Sequence, residues 1–294
     1  LSGVPMATLT IPSTISNFFR ANIVDDDTVR LEPPFIGGPI APSRTYGGIV
    51  VSQALNALTT LCPHISPHTV NFKFVSPANS LVPIDFKVAH VEDGSVSSIS
   101  AYQKEKLVGL GHVRHTNQPD FSSSTESIGH PDDYSSVAEL AVKLGGGKMK
   151  MLNEMSKFPI EFRPVETMNY GGADRTSMWL RVKPEYRSDL QSADGLSIVV
   201  FLSDVGPLLA GAEIYERSRI KISSLSSLHH SLWVHEGDLD PFGWYLSVCE
   251  SHVISLGRCR LESWIFDERR RCVATIVQEG YIQRAPEQTN INKL

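Results

Sequence analysis

Two periodicities alternate along this chain. Apolar residues fall at helical spacing from Gly48 to Leu61, after the glycine turn of Y-G-G-I-V-V-S-Q-A-L-N-A-L-T-T-L, and again from about Leu196 to Leu209 in L-S-I-V-V-F-L-S-D-V-G-P-L-L. Segments rich in branched residues follow each helix and alternate as strands do, so that every second side chain shares a face. After the first helix come His68 to Val75, Ile84 to Val91, Val96 to Gln103 and Leu107 to His115, the middle pair joined by Asp93-Gly94, a favoured hairpin turn. After the second come Leu228 to His235, Gly243 to Ile254, Arg258 to Phe266 and Val273 to Ile282. Phe158 to Val165 and Met178 to Val182 read as strands ahead of that helix.

The order of a long apolar helix and then an antiparallel meander therefore occurs twice. Identity between the halves is slight, and the repeated pattern of elements is the evidence for duplication. A sheet with one apolar face beside a helix apolar all round is closed most simply by wrapping the sheet around the helix. The expected class is α+β, a double hotdog of two tandem units. From Thr116 to Gly147 the composition shifts to Ser, Pro, Asp and Gly, which predicts a linker or a surface loop. The expected division is a first unit over 1–115, a linker over 116–150 and a second unit over 151–294.

One apolar row contains an anomaly. In V-A-T-I-V-Q-E-G-Y-I the face made by Ala274, Ile276, Gly280 and Ile282 also carries Gln278. Burying an amide without partners costs about 1–3 kcal/mol, so a polar partner is expected inside.

Composition narrows the function classes. With 41% apolar and 20% charged residues the chain has globular rather than disordered or membrane composition. A formal net charge of −5 gives no general drive toward nucleic acid or anionic lipid, so an anionic ligand must be met by a local basic patch. Cys62, Cys249, Cys259 and Cys272 show neither C-x-x-C spacing nor the density of a disulfide scaffold; they read as reduced thiols of an intracellular protein. No apolar run is expected to reach the roughly 18 residues of a membrane span. The final Asn292-Lys293-Leu294 is a variant of the Ser-Lys-Leu peroxisomal address, with Asn in place of Ser.

Several motifs stand in an order that carries a resemblance. R-T-Y-G-G-I-V-V-S-Q-A-L, Arg44 to Leu55, is similar to the first-helix signature R-x-F-G-G-Q-x-x-x-Q-A-L of the acyl-CoA thioesterase II (TesB-like) family. F-R-P-V-E, F-L-S-D, H-S-L-W-V-H and V-A-T-I-V-Q-E-G resemble segments of its second half, at matching intervals. The resemblance implies a double hotdog in which an Asp, a Thr and a Gln hold the hydrolytic water. Carried over by motif, these fall on Asp204, Ser227 and Gln278, with serine keeping the hydroxyl and losing a methyl. Asp204 would act as general base, its carboxylate balanced between desolvation and hydrogen bonds. The amide N–H groups of Gly47 and Gly48, at a helix start, are candidates to meet the thioester oxygen, and Arg44 to meet the phosphates of coenzyme A. The sequence departs from the family at Ile49 and at Val205-Gly206-Pro207, which bears on the acyl pocket and therefore on substrate choice.

Each of these residues also has a plainer reading: a buried Asp capping amides, a core Gln bonded to main chain, and a strand-end serine among Ser223, Ser224, Ser226 and Ser227. His229, His230 and His235 cluster nearby, but strand geometry sends side chains five or six residues apart to different faces or too far apart for one metal, and a structural role is expected. Gln53 stands where the duplicated helix carries Asp204, which implies packing rather than chemistry in the first half. No G-x-S-x-G elbow supports a Ser-His-Asp hydrolase. The expected function is hydrolysis of an acyl-CoA thioester, with no metal and no cofactor. Two alternatives stay open: a tailoring enzyme on the same fold, such as a pathway-specific thioesterase or a dehydratase, and a non-catalytic acyl-CoA binding protein. The expected partner is the acyl-CoA substrate, without nucleic acid; a homo-oligomer is left open.

Overall fold

A computed structural model describes residues 18–38, 43–90, 95–115, 128–144, 155–165, 174–190 and 194–285. The first unit contains β1 (Ala21–Ile23), β2 (Thr28–Leu31), α1 (Gly47–Leu61), β3 (Pro67–Phe74), β4 (Ile84–His90), β5 (Val96–Gln103) and β6 (Lys106–His115). The second contains β7 (Ile160–Pro164), β8 (Asp174–Val182), α3 (Gly195–Ser203), α4 (Gly206–Arg217), β9 (Ile222–Val234), β10 (Tyr245–Ser255), β11 (Arg258–Asp267) and β12 (Cys272–Arg284). Within the stretch expected to be linker, α2 (Val137–Leu144) and a short 3-10 turn at Pro131–Asp133 are helical. The Asp93-Gly94 turn and the C-terminal Asn-Lys-Leu lie outside the described residues.

Among the described residues the strands form one sheet in the order β1-β2-β4-β5-β6-β3-β9-β12-β11-β10-β8-β7. Read outward from the centre, β3-β6-β5-β4-β2-β1 on one side mirrors β9-β12-β11-β10-β8-β7 on the other. This is the duplication expressed as topology, with the antiparallel pair β3 and β9 as its seam. The architecture is the expected α+β double hotdog. Ser231 on β9 bonds Asn71 on β3 across the seam at 2.8 Å.

The sheet wraps two helices that lie side by side and antiparallel: Ser52 Oγ donates to the Ser197 carbonyl at 2.7 Å, while Gly48 approaches the carbonyl of Phe201. Both helices are predominantly apolar, and Gly48 to Leu58 and Ser197 to Ser203 are buried on every face, the polar Ser52, Gln53 and Asn56 of α1 each bonding a main-chain carbonyl. One hydrophobic core joins residues of both units, among them Leu55, Phe72, Val113, Phe201, Leu232 and Ile276. Each such side chain contributes about 1.5–3 kcal/mol by burial, so the two units are held by a common core.

Two expectations need correction. The second helix does not run unbroken to Leu209: α3 ends at Ser203, Asp204 caps it, and α4 continues from Gly206 to Arg217. Pro207 has no N–H to give the Ser203 carbonyl and its ring crowds that carbonyl, so the helical ladder breaks at Asp204-Val205, one turn before the proline. An apolar run of membrane-span length does exist, at Gly195–Ala212, but it is 82% buried inside the sheet and crosses this break; it is a core element.

The start of α3 is fixed by close approach. A Cβ on Gly195 would lie 2.0 Å from the Leu239 carbonyl oxygen, a backbone atom that cannot rotate away. Gly195→Ala is expected to cost about 1–3 kcal/mol in urea unfolding, the range for overpacking. An unchanged midpoint and slope would show that the loop at Leu239 yields freely.

Candidate active site

The apolar row that carries Gln278 is inward-facing as expected: Ala274, Ile276, Gln278, Gly280 and Ile282 are all buried, while Thr275, Val277 and Glu279 between them are half-buried. The partner of the amide is the carboxylate of Asp204. Gln278 Nε2 donates to Asp204 Oδ1 at 2.6 Å and to Ser227 Oγ at 2.9 Å, and Ser227 Oγ donates to the same Oδ1 at 2.8 Å. Every edge of this triangle is one hydrogen bond long. The three groups thus bond one another directly rather than around an enclosed water, and of the three Asp204 and Ser227 face the cavity.

Local irregularities bring the three together. Asp204 sits at the break between α3 and α4, where the helix direction no longer dictates its side chain. Ser227 reaches the site through a β-bulge: β12 pairs Gln278 with His230 and Gly280 with Ser227, so Leu228 is the extra residue on β9. Without the bulge Ser227 and His230 would point to opposite faces, whereas here both share the face of Gln278. The neighbouring serines are used otherwise: Ser223 bonds the carbonyls of Gln283 and Arg284, and Ser224 bonds the Gln283 side chain.

Asp204 is 4% exposed, and this burial lifts its pKa from the usual 3.8 to about 6 against the pull of hydrogen bonds from Ser227, Gln278 and the Gly48 amide. Its two oxygens are not equivalent. Oδ1 takes two donors, and Oδ2 takes one, the Gly48 N–H at 2.9 Å. Of the two candidate oxyanion donors, Gly48 is therefore committed to the carboxylate. The Gly47 N–H, at the positive end of α1, has no hydrogen-bond acceptor among the described residues. A Cβ on Gly47 would lie 2.7 Å from Asp204 Oδ2 and 3.1 Å from the Phe74 ring, so only glycine lets the helix start approach the acid.

Asp204, Ser227 and Gly47 border a cavity of about 350 Å³ between the two units. Its wall is mostly apolar, with Val50, Phe74 and Val108 from the first unit and Phe158, Phe162 and Leu208 from the second. Tyr46 holds the end of this wall, its ring edge-on to Phe158 at 5.4 Å and to Phe201 at 5.9 Å. Burial and the Asp204 charge keep its phenol protonated, well above the ordinary range. Arg44 is exposed among the lining residues, at the rim. Val205, the first residue of the departure at Val205-Gly206-Pro207, and Leu208, which follows it, both line the cavity, so that departure shapes the pocket directly.

The histidines go to separate partners. His229 Nε2 contacts Ser231 Oγ at 3.1 Å, His235 Nε2 contacts Thr275 Oγ1 at 3.0 Å, and His230 lies fully buried behind Gln278. Gln53 donates to the Phe18 carbonyl at 3.1 Å, anchoring the segment ahead of β1. From sequence alone His230 is assigned a structural role only. Its signal was present: Leu228, His230, Leu232 and Val234 form an apolar row with one polar member, as Gln278 does on the adjacent strand.

Comparison with known proteins identifies the family and the fold. The acyl-CoA thioesterase N-terminal domain matches residues 38–106 and the acyl-CoA thioesterase C-terminal domain matches residues 131–282. The chain is 23% identical to acyl-coenzyme A thioesterase 8 of Mus musculus, over 83% of this chain and 82% of that one. In fold it is similar to an acyl-CoA thioesterase II, TesB2, of Mycobacterium marinum, with TM-score 0.71 and 18% identity over 92% of this chain and 99% of that one. It is likewise similar to a TesB protein of Mycobacterium avium subs paratuberculosis, with TM-score 0.67 and 19% identity over 92% and 97%. The chain belongs to the TesB-like acyl-CoA thioesterase II family and is a thioester hydrolase.

Proposed function

We propose that this chain hydrolyses an acyl-CoA ester with Asp204 as general base toward a water on the cavity side, that Ser227 and Gln278 fix the carboxylate, and that Ser227, which lines the cavity, keeps a lone pair to accept from that water. The observation that carries this reading is the convergence of the three side chains, from a helix break, a bulged strand and β12, on one carboxylate at the cavity wall. Asp204 Oδ2, with a single donor, keeps the capacity to take a proton. Water attacks the thioester carbonyl carbon as its proton passes to Asp204; the tetrahedral intermediate then expels the coenzyme A thiolate, which takes the proton back. The net change is acyl-CoA plus water to free acid plus coenzyme A. The Gly47 N–H, at the helix start, is suited to the oxygen on which charge develops. A buried acid with a pKa near 6 is ionised at neutral pH while remaining a stronger base than an ordinary carboxylate.

The apolar cavity takes the acyl chain and Arg44 stands at the rim for an anionic part of coenzyme A. Dehydration would require a second proton-transfer group facing the substrate, and the Tyr46 phenol on the cavity wall directs its hydroxyl to the Phe201 carbonyl at 3.5 Å. No histidine is among the described residues that line the cavity, and the one nearest the acid, His230, is turned away behind Gln278. This favours hydrolysis over a dehydratase.

Thiol release from straight-chain acyl-CoA esters of increasing length tests the reading. Turnover is expected on at least one chain length, with kcat/KM falling once the acyl chain exceeds the cavity. Tight binding of every ester without thiol release would establish a binding protein instead.

A further inference from the structure

Behind Gln278 lies a chain of polar groups, His230 and Ser203, that takes no direct part in the hydrolysis. Gln278 Oε1 is 3.2 Å from His230 Nδ1, His230 Nε2 is 2.8 Å from Ser203 Oγ, and Ser203 Oγ is 2.8 Å from the Val200 carbonyl. His230 and Gln278 are both 0% exposed and Ser203 is 1% exposed. Buried polar groups in such a chain are costly unless each is satisfied, and here the satisfaction imposes a direction.

A carboxamide has two chemically different ends. With Asp204 ionised, its Oδ1 at 2.6 Å requires the NH2 end, because a carbonyl oxygen at that distance would set lone pairs against a carboxylate. The carbonyl end then faces His230 Nδ1 and requires a donor there. The neutral imidazole carries that proton on Nδ1, which leaves Nε2 as an acceptor, and the Ser203 hydroxyl, 2.8 Å from both Nε2 and the Val200 carbonyl, shares its single proton between them. Along the chain the donors point one way: Ser203 to His230, His230 to Gln278, Gln278 to Asp204 and Ser227. The opposite tautomer would pull the NH2 end of Gln278 toward the histidine and turn its oxygen onto the acid.

We propose that His230 is a positioning residue for the hydrolysis, acting through Gln278: its Nδ1–H, held on that nitrogen by Ser203, locks the carboxamide with its donor end toward Asp204 and Ser227. The inference rests on the proposed role of Asp204 and Gln278. Burial supports it by holding the imidazole neutral, with a pKa near 4. No part of His230 meets the substrate, so its effect belongs in kcat rather than KM.

A double-mutant cycle on the full chain tests this by thiol release. His230→Leu is expected to lower kcat about tenfold or more with KM little changed, the loss of one charge-linked hydrogen bond in the transition state. His230→Asn, whose amide N–H replaces the Nδ1 donor, is expected to restore most of the rate. In a Gln278→Ala background His230→Leu is expected to change kcat by less than about twofold, since there is no carboxamide left to orient. Ser203→Ala, which alters volume little, is expected to lower kcat several-fold in the wild-type background and to leave the Gln278→Ala background unchanged; it carries the test if His230→Leu does not fold. Equal losses with and without Gln278, no loss of kcat, or failure of His230→Asn to restore the rate would overturn the inference. Full activity of Gln278→Ala alone would instead overturn the reading of the site on which it rests.

Discussion

Asp204→Asn lowers kcat/KM for thiol release by about 10³-fold, close to 4 kcal/mol of transition-state stabilisation, while the chain remains folded. Asn has the size and the acceptor of the acid but cannot take a proton from water, so the loss reports base chemistry rather than packing. The wild-type rate carries a matching signature. Its kcat/KM rises with pH through an apparent pKa near 6, the value to which burial lifts Asp204. In the Asn variant that acid limb is absent from the residual rate. Turnover within tenfold of wild type, or an acid limb that survives the substitution, would assign the base elsewhere. Gln278→Ala is expected to cost less, because it loosens the carboxylate and its water without removing the proton acceptor.

Much of this site is legible in the sequence because a sheet with one buried face writes its register into the chain. Gln278 stands out only against Ala274, Ile276 and Ile282, and all of them are inward in the structure. The helix start is equally plain, since two glycines before an apolar run have few other uses. Legibility fails where a tertiary contact decides a local choice. The strands β1 and β2 span three and four residues and have no sustained pattern; β2 is held by pairing with β4, more than 50 residues later. The bulge at Leu228 is equally silent. Strict alternation along S-L-H-H-S-L-W-V would place Ser227 and His230 on opposite faces, and only the register against β12 reveals that one residue has been stepped over. The break at Asp204 is half visible: Pro207 announces that the helix must stop, but the position of the stop one turn earlier follows from the carbonyl that the proline leaves without a donor.

The same pair of buried groups that shapes the chemistry is expected to leave a hidden signature in stability against pH. Folding raises the Asp204 pKa from 3.8 to about 6, so the folded chain prefers the protonated acid. Its contribution to stability is full below about pH 4 and is lost as pH rises through 6, about 3 kcal/mol at 1.36 kcal/mol per unit. Folding lowers the His230 pKa from 6.5 to about 4, so the folded chain prefers the neutral imidazole. That contribution is full above about pH 6.5 and is lost as pH falls through 4, again about 3 kcal/mol. Between pH 4 and 6 the two slopes oppose and nearly cancel in the wild type. Removing either group uncovers the other. Relative to wild type, Asp204→Asn is expected to lose about 3 kcal/mol on going from pH 6.5 to 4, and His230→Asn to gain a similar amount on going from pH 6 to 4. Urea unfolding of the three proteins at matched pH values measures both, and taking differences removes every titrating group they share. Parallel curves would show that neither group is shifted as its burial demands. Opposite tilts would show that the ionised base is maintained at neutral pH against the preference of the fold, the expected condition of an acid placed for chemistry rather than for stability.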